Sequence, residues 1–295
     1  MNNIDKDIKS TTTFRLNHLP KLLVKTYKSW MEKEPFKLGA VVAYYAILSL
    51  PALLILILNL VGAIWGRELV RGELQAEMSS ALGSDTAEAI LKMIAEKGDE
   101  PTSIFATILG IGVLLYGATG VFYQLQNVLD DIWEVKQTYS NEIIATLIGR
   151  LKSFGFILIF GFLLLISFVL TALLTAFANR ISRLFSTEIV GIAYIIDIVF
   201  SLIFIYMLFA AMFKYLPSKP IRWKAVRVGA ALTALLFILG KYILSFYFGK
   251  TEPGSTYGAA GSIIIVMLWT SYSSLILFFG AQFTKIYSDR YLIVN

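Results

Sequence analysis

A long uncharged run, interrupted only by a proline, limits what this chain can fold into. From Leu38 to Trp65 it reads LGAVVAYYAILSLPALLILILNLVGAIW, without one charged side chain. About 20 apolar residues cross a bilayer, so this run crosses one with tilt to spare. Pro51 has no N–H to give the carbonyl of Ile47, and its ring pushes that carbonyl aside. Lipid offers no replacement donor, so a neighbouring helix, a hydroxyl or a water must satisfy it. Tyr44, Tyr45, Ser49 and Asn59 add polar groups along the same span. The pattern predicts a first span kinked at Pro51 and packed against other helices. A plain proline kink is one reading of Pro51; a hinge or substrate-facing bend is the other.

Five more apolar runs follow, at about 102–129, 153–178, 189–213, 228–248 and 257–283. Only 16% of residues are charged, against about 25% in soluble domains. The expected fold class is therefore all-α: a polytopic membrane protein with six transmembrane helices and short amphipathic interfacial helices. Residues 1–37 form an N-terminal segment without the pattern of a cleavable signal peptide. Within it, Pro20 to Met31 place Leu23, Tyr27, Trp30 and Met31 on one helical face and Lys21, Lys25 and Lys28 on the other. Such a helix lies in the headgroup plane. Residues 67–100 form the largest hydrophilic piece. Leu69, Leu74, Met78 and Leu82 predict one helix there, and Gly83 breaks it. Asp85 to Glu88 has capping-box form for a second helix with Ile90, Leu91 and Ile94 on its apolar face. Residues 285–295 are expected to be a tail.

Lysine and arginine are distributed unevenly. The N-terminal segment has eight, the 133–152 loop three, the 214–227 loop five and the C-terminus two; the other side has four, two and one. The positive-inside rule puts both termini in the cytoplasm. The net charge of +6 is met by anionic lipid heads, so membrane lipids are the expected partners and nucleic acid is not.

Several spans carry polar features. Gly117 and Gly120 lie three apart, a spacing at which helix backbones approach closely. The end of that span holds Gln124, Gln126, Asn127, Asp130, Asp131 and Trp133, too polar for lipid unless it faces the bundle or the interface. Asp197 lies in the fourth span and Lys241 in the fifth, at matched depths in oppositely directed helices. Ionisable residues at such depth mark pathways or pair with one another; a snorkelling Lys241 is the third reading. The sixth span has the polar centre Trp269-Thr-Ser-Tyr-Ser-Ser274, which suits a helix surrounded by protein. The candidate pathway residues are thus Asp197, Lys241, Asn59, Tyr257, Trp269 and Ser49. Pro51, Gly117, Gly120, Gly258 and Gly261 are the candidate hinge and packing positions.

The chain resembles the YihY/BrkB family of bacterial membrane proteins, historically labelled ribonuclease BN. The resemblance rests on Ala43-Tyr-Tyr-Ala-Ile-Leu-Ser-Leu-Pro51, on Gly117-Ala-Thr-Gly120 with Asn127 and Ile132-Trp133, and on Trp223 with Gly229. Tyr257-Gly-Ala-Ala-Gly261, followed by Trp269 and Gly280-Ala281, is its most specific part. It implies a six-span inner-membrane protein with both ends inside. Members are linked to serum resistance and, in some lineages, to envelope lipid export.

The ribonuclease label fits the residues poorly. A zinc nuclease needs clustered His and carboxylate ligands, and His18 is the single histidine. There is no cysteine, hence no thiolate nucleophile or disulfide. Asp130, Asp131 and Glu134 could hold Mg²⁺ through water, but a solvated helix end explains them better. No Walker or dinucleotide motif is present, so no cofactor and no bound metal are expected. Three readings remain: a transporter or flippase-like translocator of a lipid or other amphipathic or anionic envelope molecule, a non-transporting scaffold or regulator, and a membrane enzyme. The exposed glycine and aromatic faces suit a homodimer and a monomer equally.

Overall fold

The computed structural model describes residues 14–95, 104–135, 148–151, 153, 155–156, 188–251 and 261–292. Among them, all regular structure is helical. After a short 3-10 turn at Leu16–His18 come α1 (Leu19–Met31), α2 (Pro35–Trp65), α3 (Arg67–Leu82), α4 (Ser84–Ala95), α5 (Ile104–Ile132), α6 (Glu188–Tyr215), α7 (Trp223–Thr251) and α8 (Gly261–Tyr291). The run expected to form the third span lies outside the described residues apart from its first few, as do Tyr257 and Gly258. The chain is helical without interruption from Pro35 to Trp65, Pro51 included.

Long helices pack in sequence across the bundle. α2 lies against α5 and α8, α8 against α7, and α7 against α6. α1 docks on the second half of α8 instead of standing apart. Its buried residues are Leu22 and Thr26, while Val24, Tyr27 and Met31 stay exposed. The row read from sequence as one apolar face is thus split. Trp30 turns inward to Phe279, ring centroids 5.7 Å apart, and Tyr27 and Met31 turn outward.

Two apolar clusters fix the ends. The larger joins Leu22, Leu129, Ile132, Phe213, Leu216, Val226, Phe278 and Phe283 at the end of the bundle that holds both described chain ends. The smaller joins Leu54, Ile90, Phe248, Ile265 and Val266 at the opposite end. There the α3–α4 hairpin folds back on α2, α7 and α8. Gly83 makes the break between α3 and α4 at φ +90°, a conformation that costs glycine little. Its carbonyl accepts the N–H of Ala87 at 3.1 Å, so Gly83 caps α4. Asp85, read from sequence as the cap, falls inside the first turn.

Outward faces are apolar. On α7, Leu235, Leu239, Tyr242, Ile243 and Phe246 are each more than half exposed, at the spacing of one helical stripe. The inward face of the same helix is small: Gly229, Ala230, Thr233, Ala234 and Gly240 are buried. Small inside and large apolar outside is the arrangement of helices in lipid. Among the described residues, Trp223–Phe248 and Gly261–Tyr291 are long and apolar enough to cross a membrane; Pro35–Ser49 and Ser201–Tyr215 are shorter apolar stretches.

Candidate functional site

The polar end of α5 is exposed at Asp131 and Glu134 yet tied to other segments of the chain. Gln126 and Trp133 are buried. Asp130 accepts two hydrogen bonds from Ser218, one from its backbone N–H and one from its hydroxyl, both 2.7 Å. Gln126 Nε2 donates to the same hydroxyl at 3.1 Å. Lys33, beyond α1, pairs with Asp131 at 2.8 Å. Lys285 of α8 pairs with Glu134 at 2.5 Å. From the last turn of α6, the Lys214 ammonium donates at 2.5 Å to the carbonyl of Ile221 in the connection to α7. The Arg222 guanidinium donates to the carbonyl of Leu292. These contacts form a polar plate that ties α1, α5, α8 and the α6–α7 connection together.

Glu134 is the strained member of the plate. Its φ is +53°, and its N–H reaches Asp131 O at 3.2 Å while Val135 N–H reaches Asp130 O at 2.9 Å. That is a Schellman turn with glutamate in the position glycine normally takes. The hydrogen bond to Lys285, and next the Lys285 charge, lower its pKa below the ordinary glutamate value. The three carboxylates that might have shared a metal are directed to three different partners: Ser218, Lys33 and Lys285.

Between α7 and α8 the helices nearly touch. A Cβ on Gly229 would fall 1.7 Å from Thr284 Oγ1, and one on Gly280 would fall 1.8 Å from Thr233 Oγ1. Each threonine bonds back to its own helix, Thr233 to Gly229 O and Thr284 to Gly280 O, both at 2.7 Å. Farther along the seam, Gly240 accommodates the Tyr272 hydroxyl, and Trp269 meets Phe237 edge to face, centroids 6.1 Å apart. The α2–α5 seam works in the same way. Gly117 faces the carbonyl of Leu48 and Gly120 faces the Tyr45 ring.

Of the residues expected to form a pathway, the side chains of Ser49, Trp269 and Lys241 are described. Ser49 is buried and its hydroxyl bonds Ala46 O at 3.1 Å within α2. Ser274 likewise bonds Thr270 O at 2.8 Å. Trp269 packs with the smaller apolar cluster, and Gly261 is buried at the start of α8. The side chains of Asn59, Pro51 and Asp197 lie outside the described residues, although all three positions are helical. Lys241 is half-buried in α7 and has no ion-pair partner among the described residues.

A cation assigned from sequence to a loop occupies a different place. Arg150 Nη1 donates to Tyr116 O at 2.9 Å and to Thr119 Oγ1 at 3.2 Å. Its guanidinium lies 3.8 Å above the Tyr116 ring and 5.7 Å from that of Tyr123. The sequence signal for it is slight: a charge three residues before an apolar run, following Gly149. The seam between α7 and α8 had a clearer signal, since Gly229 to Thr233 and Gly280 to Thr284 repeat one glycine–threonine spacing.

The family model described as Virulence factor BrkB matches residues 26–293. This chain belongs to that family. Among its relatives is a UPF0761 membrane protein of Pseudoalteromonas atlantica, 25% identical over 245 residues, covering 83% of this chain and 78% of the relative. Another, from Haemophilus influenzae, is 22% identical over 261 residues, or 87% of this chain and 91% of the relative. A UPF0761 membrane protein of Tolumonas auensis is 38% identical over 76 residues, a quarter of each chain. No solved structure matches. The chain is an integral membrane protein of the BrkB/UPF0761 family.

Proposed function

We propose that this BrkB-family protein is a translocator of a lipid or other anionic, amphipathic envelope molecule in a bacterial inner membrane, with both termini in the cytoplasm. The observation that carries this reading is Lys241, half-buried ten residues from the end of α7 at Thr251. At 1.5 Å per residue that is about 15 Å of rise. No acidic side chain among the described residues neutralises it. An ammonium at that depth is costly to leave without a counter-charge, and an anionic headgroup would supply one. Asp197 is the alternative counter-charge within the chain. The reading treats the protein as a carrier and not as an enzyme: Asp130, Asp131 and Glu134 are engaged in holding helices together. Membrane lipids are its partners, nucleic acid is not, and a homo-oligomer would use the apolar outer stripe of α7.

The test uses purified protein in vesicles that carry fluorescent phosphatidylglycerol, with dithionite quenching from outside. Wild type should expose inner-leaflet lipid faster than protein-free vesicles, and Lys241→Met should slow this by about tenfold, the equivalent of 1.4 kcal/mol. Equal rates with and without wild-type protein would end the translocator reading. The close fit of glycine and threonine across α7 and α8 favours a second reading, a rigid scaffold, which predicts that null result in a protein that still melts cooperatively.

A further inference from the structure

Arg150 projects away from the charged end of the bundle. Its neighbour Gly149 sits against the Tyr123 ring, where a Cβ would lie 2.6 Å from the ring edge. Ser153, fully buried, donates to Gly149 O at 2.9 Å and holds that turn. Tyr123 is seven residues from Asp130 along α5. The atoms that receive the guanidinium, Tyr116 O and Thr119 Oγ1, belong to residues fourteen and eleven from Asp130. A snorkelling arginine would reach toward the nearest charged surface; this one reaches the other way. Thr119 is about 16 Å of helix rise from Asp130 and about 22 Å from Ile104. No charged residue of α5 lies between those two points.

Among the described residues, this guanidinium meets dipoles but no countercharge. Two hydrogen bonds use one terminal nitrogen, out of five N–H donors on the group. Arg150 has no salt bridge among the described residues. Between Val135 and Glu188 the sequence has a single acid, Glu142. A charge in a low-dielectric setting needs a partner of opposite sign. The remaining donors form a planar fork that matches phosphate. The Tyr116 ring beneath it is 58% exposed, so the site opens outward along α5, which the sequence reads as a membrane span.

We infer that Arg150, with Thr119 and the Tyr116 ring, is a binding site for the phosphate of an anionic acyl lipid. This goes beyond translocation, because binding is measured without transport and stands whether or not the lipid moves onward. A free inorganic phosphate offers the same oxygens but has no acyl chain to lie along the apolar flank of α5.

The experiment is native mass spectrometry of the full chain released from nanodiscs of equal phosphatidylglycerol and phosphatidylcholine. Wild type should retain phosphatidylglycerol in preference. Arg150→Gln should lower that preference by about tenfold or more, the size of one charge-assisted hydrogen bond. Arg150→Lys keeps the charge and loses the fork, and should show an intermediate preference; it decides the matter if the glutamine variant does not fold. Wild-type preference in both variants would overturn the inference and leave Arg150 a structural clamp on Tyr116 O. Loss of the wild-type preference on adding millimolar inorganic phosphate would overturn it in favour of the free anion.

Discussion

Glu134 shows how a residue can be poorly suited to its backbone and still be useful. The left-handed conformation at the end of α5 favours glycine, and a side chain with a Cβ is strained there. The glutamate side chain provides something glycine cannot, the ion pair that joins α5 to Lys285 on α8. The pair's stabilising effect has a definite direction with pH. The folded-state pKa is depressed below the ordinary value, so the stabilisation is present above the unfolded value and is lost as pH falls through the folded one. Glu134→Gln keeps the strain and loses the pair, so it should melt below wild type at pH 7, and the gap should close as the pH is lowered beneath the ordinary glutamate range. Glu134→Gly loses the pair and the strain together and should melt above Glu134→Gln at every pH. Thermal unfolding of the three proteins across pH checks both statements. A glutamine variant equal to wild type at pH 7 would show the exposed pair contributes nothing. A glycine variant below the glutamine variant would refute the strain.

Helix positions and breaks were readable in the sequence because local chemistry sets them. Apolar runs marked α2, α5, α6 and α7 and the start of α8, each end within about five residues, and Gly83 marked the turn between α3 and α4. What local chemistry does not set was missed. Lys285, Asp289 and Arg290 resemble a solvated tail, yet α8 continues through them because Ile286, Tyr287 and Ser288 are buried, with α1 packed alongside. Asp130 reads as a helix end, and its partner Ser218 is 88 residues away. Arg150 reads as a loop charge because nothing in its neighbours reports a contact with Tyr116. The α7–α8 seam yields a prediction at this scale. In Gly229→Ala the new methyl meets Thr284 Oγ1 and lies 2.8 Å from its Cβ. Overpacking of this kind costs about 1–3 kcal/mol. Adding Thr284→Gly moves the notch to the other helix, so the double variant should recover part of the loss. Additive losses in the double-mutant cycle, read by thermal unfolding in detergent, would mean that the two positions do not meet.

At the scale of the whole molecule, the two described chain ends lie together. Phe14 packs edge to face on Tyr287 and Tyr291, with centroids 5.5 and 5.6 Å apart, and His18 Nδ1 lies 2.9 Å from the Tyr291 hydroxyl. A chain whose ends meet on one side of a membrane crosses it an even number of times. The polar plate lies at that end, and the α3–α4 hairpin lies at the other. The larger share of lysine and arginine falls in segments on the plate side, so the positive-inside rule predicts that side to be cytoplasmic. The cysteine-free sequence allows single-cysteine labelling to decide this. Ser218 is unsuitable as a probe because it holds Asp130. Lys219 beside it is exposed, and Gly72 on α3 has open space where a side chain would go. In intact cells Gly72→Cys should react with an impermeant maleimide, and Lys219→Cys should react only after the membrane is opened. Reaction of both from outside would place the hairpin and the plate on one face and break the even-crossing topology. Reaction of Lys219→Cys alone would keep that topology and invert it, and the charge distribution would then have pointed the wrong way.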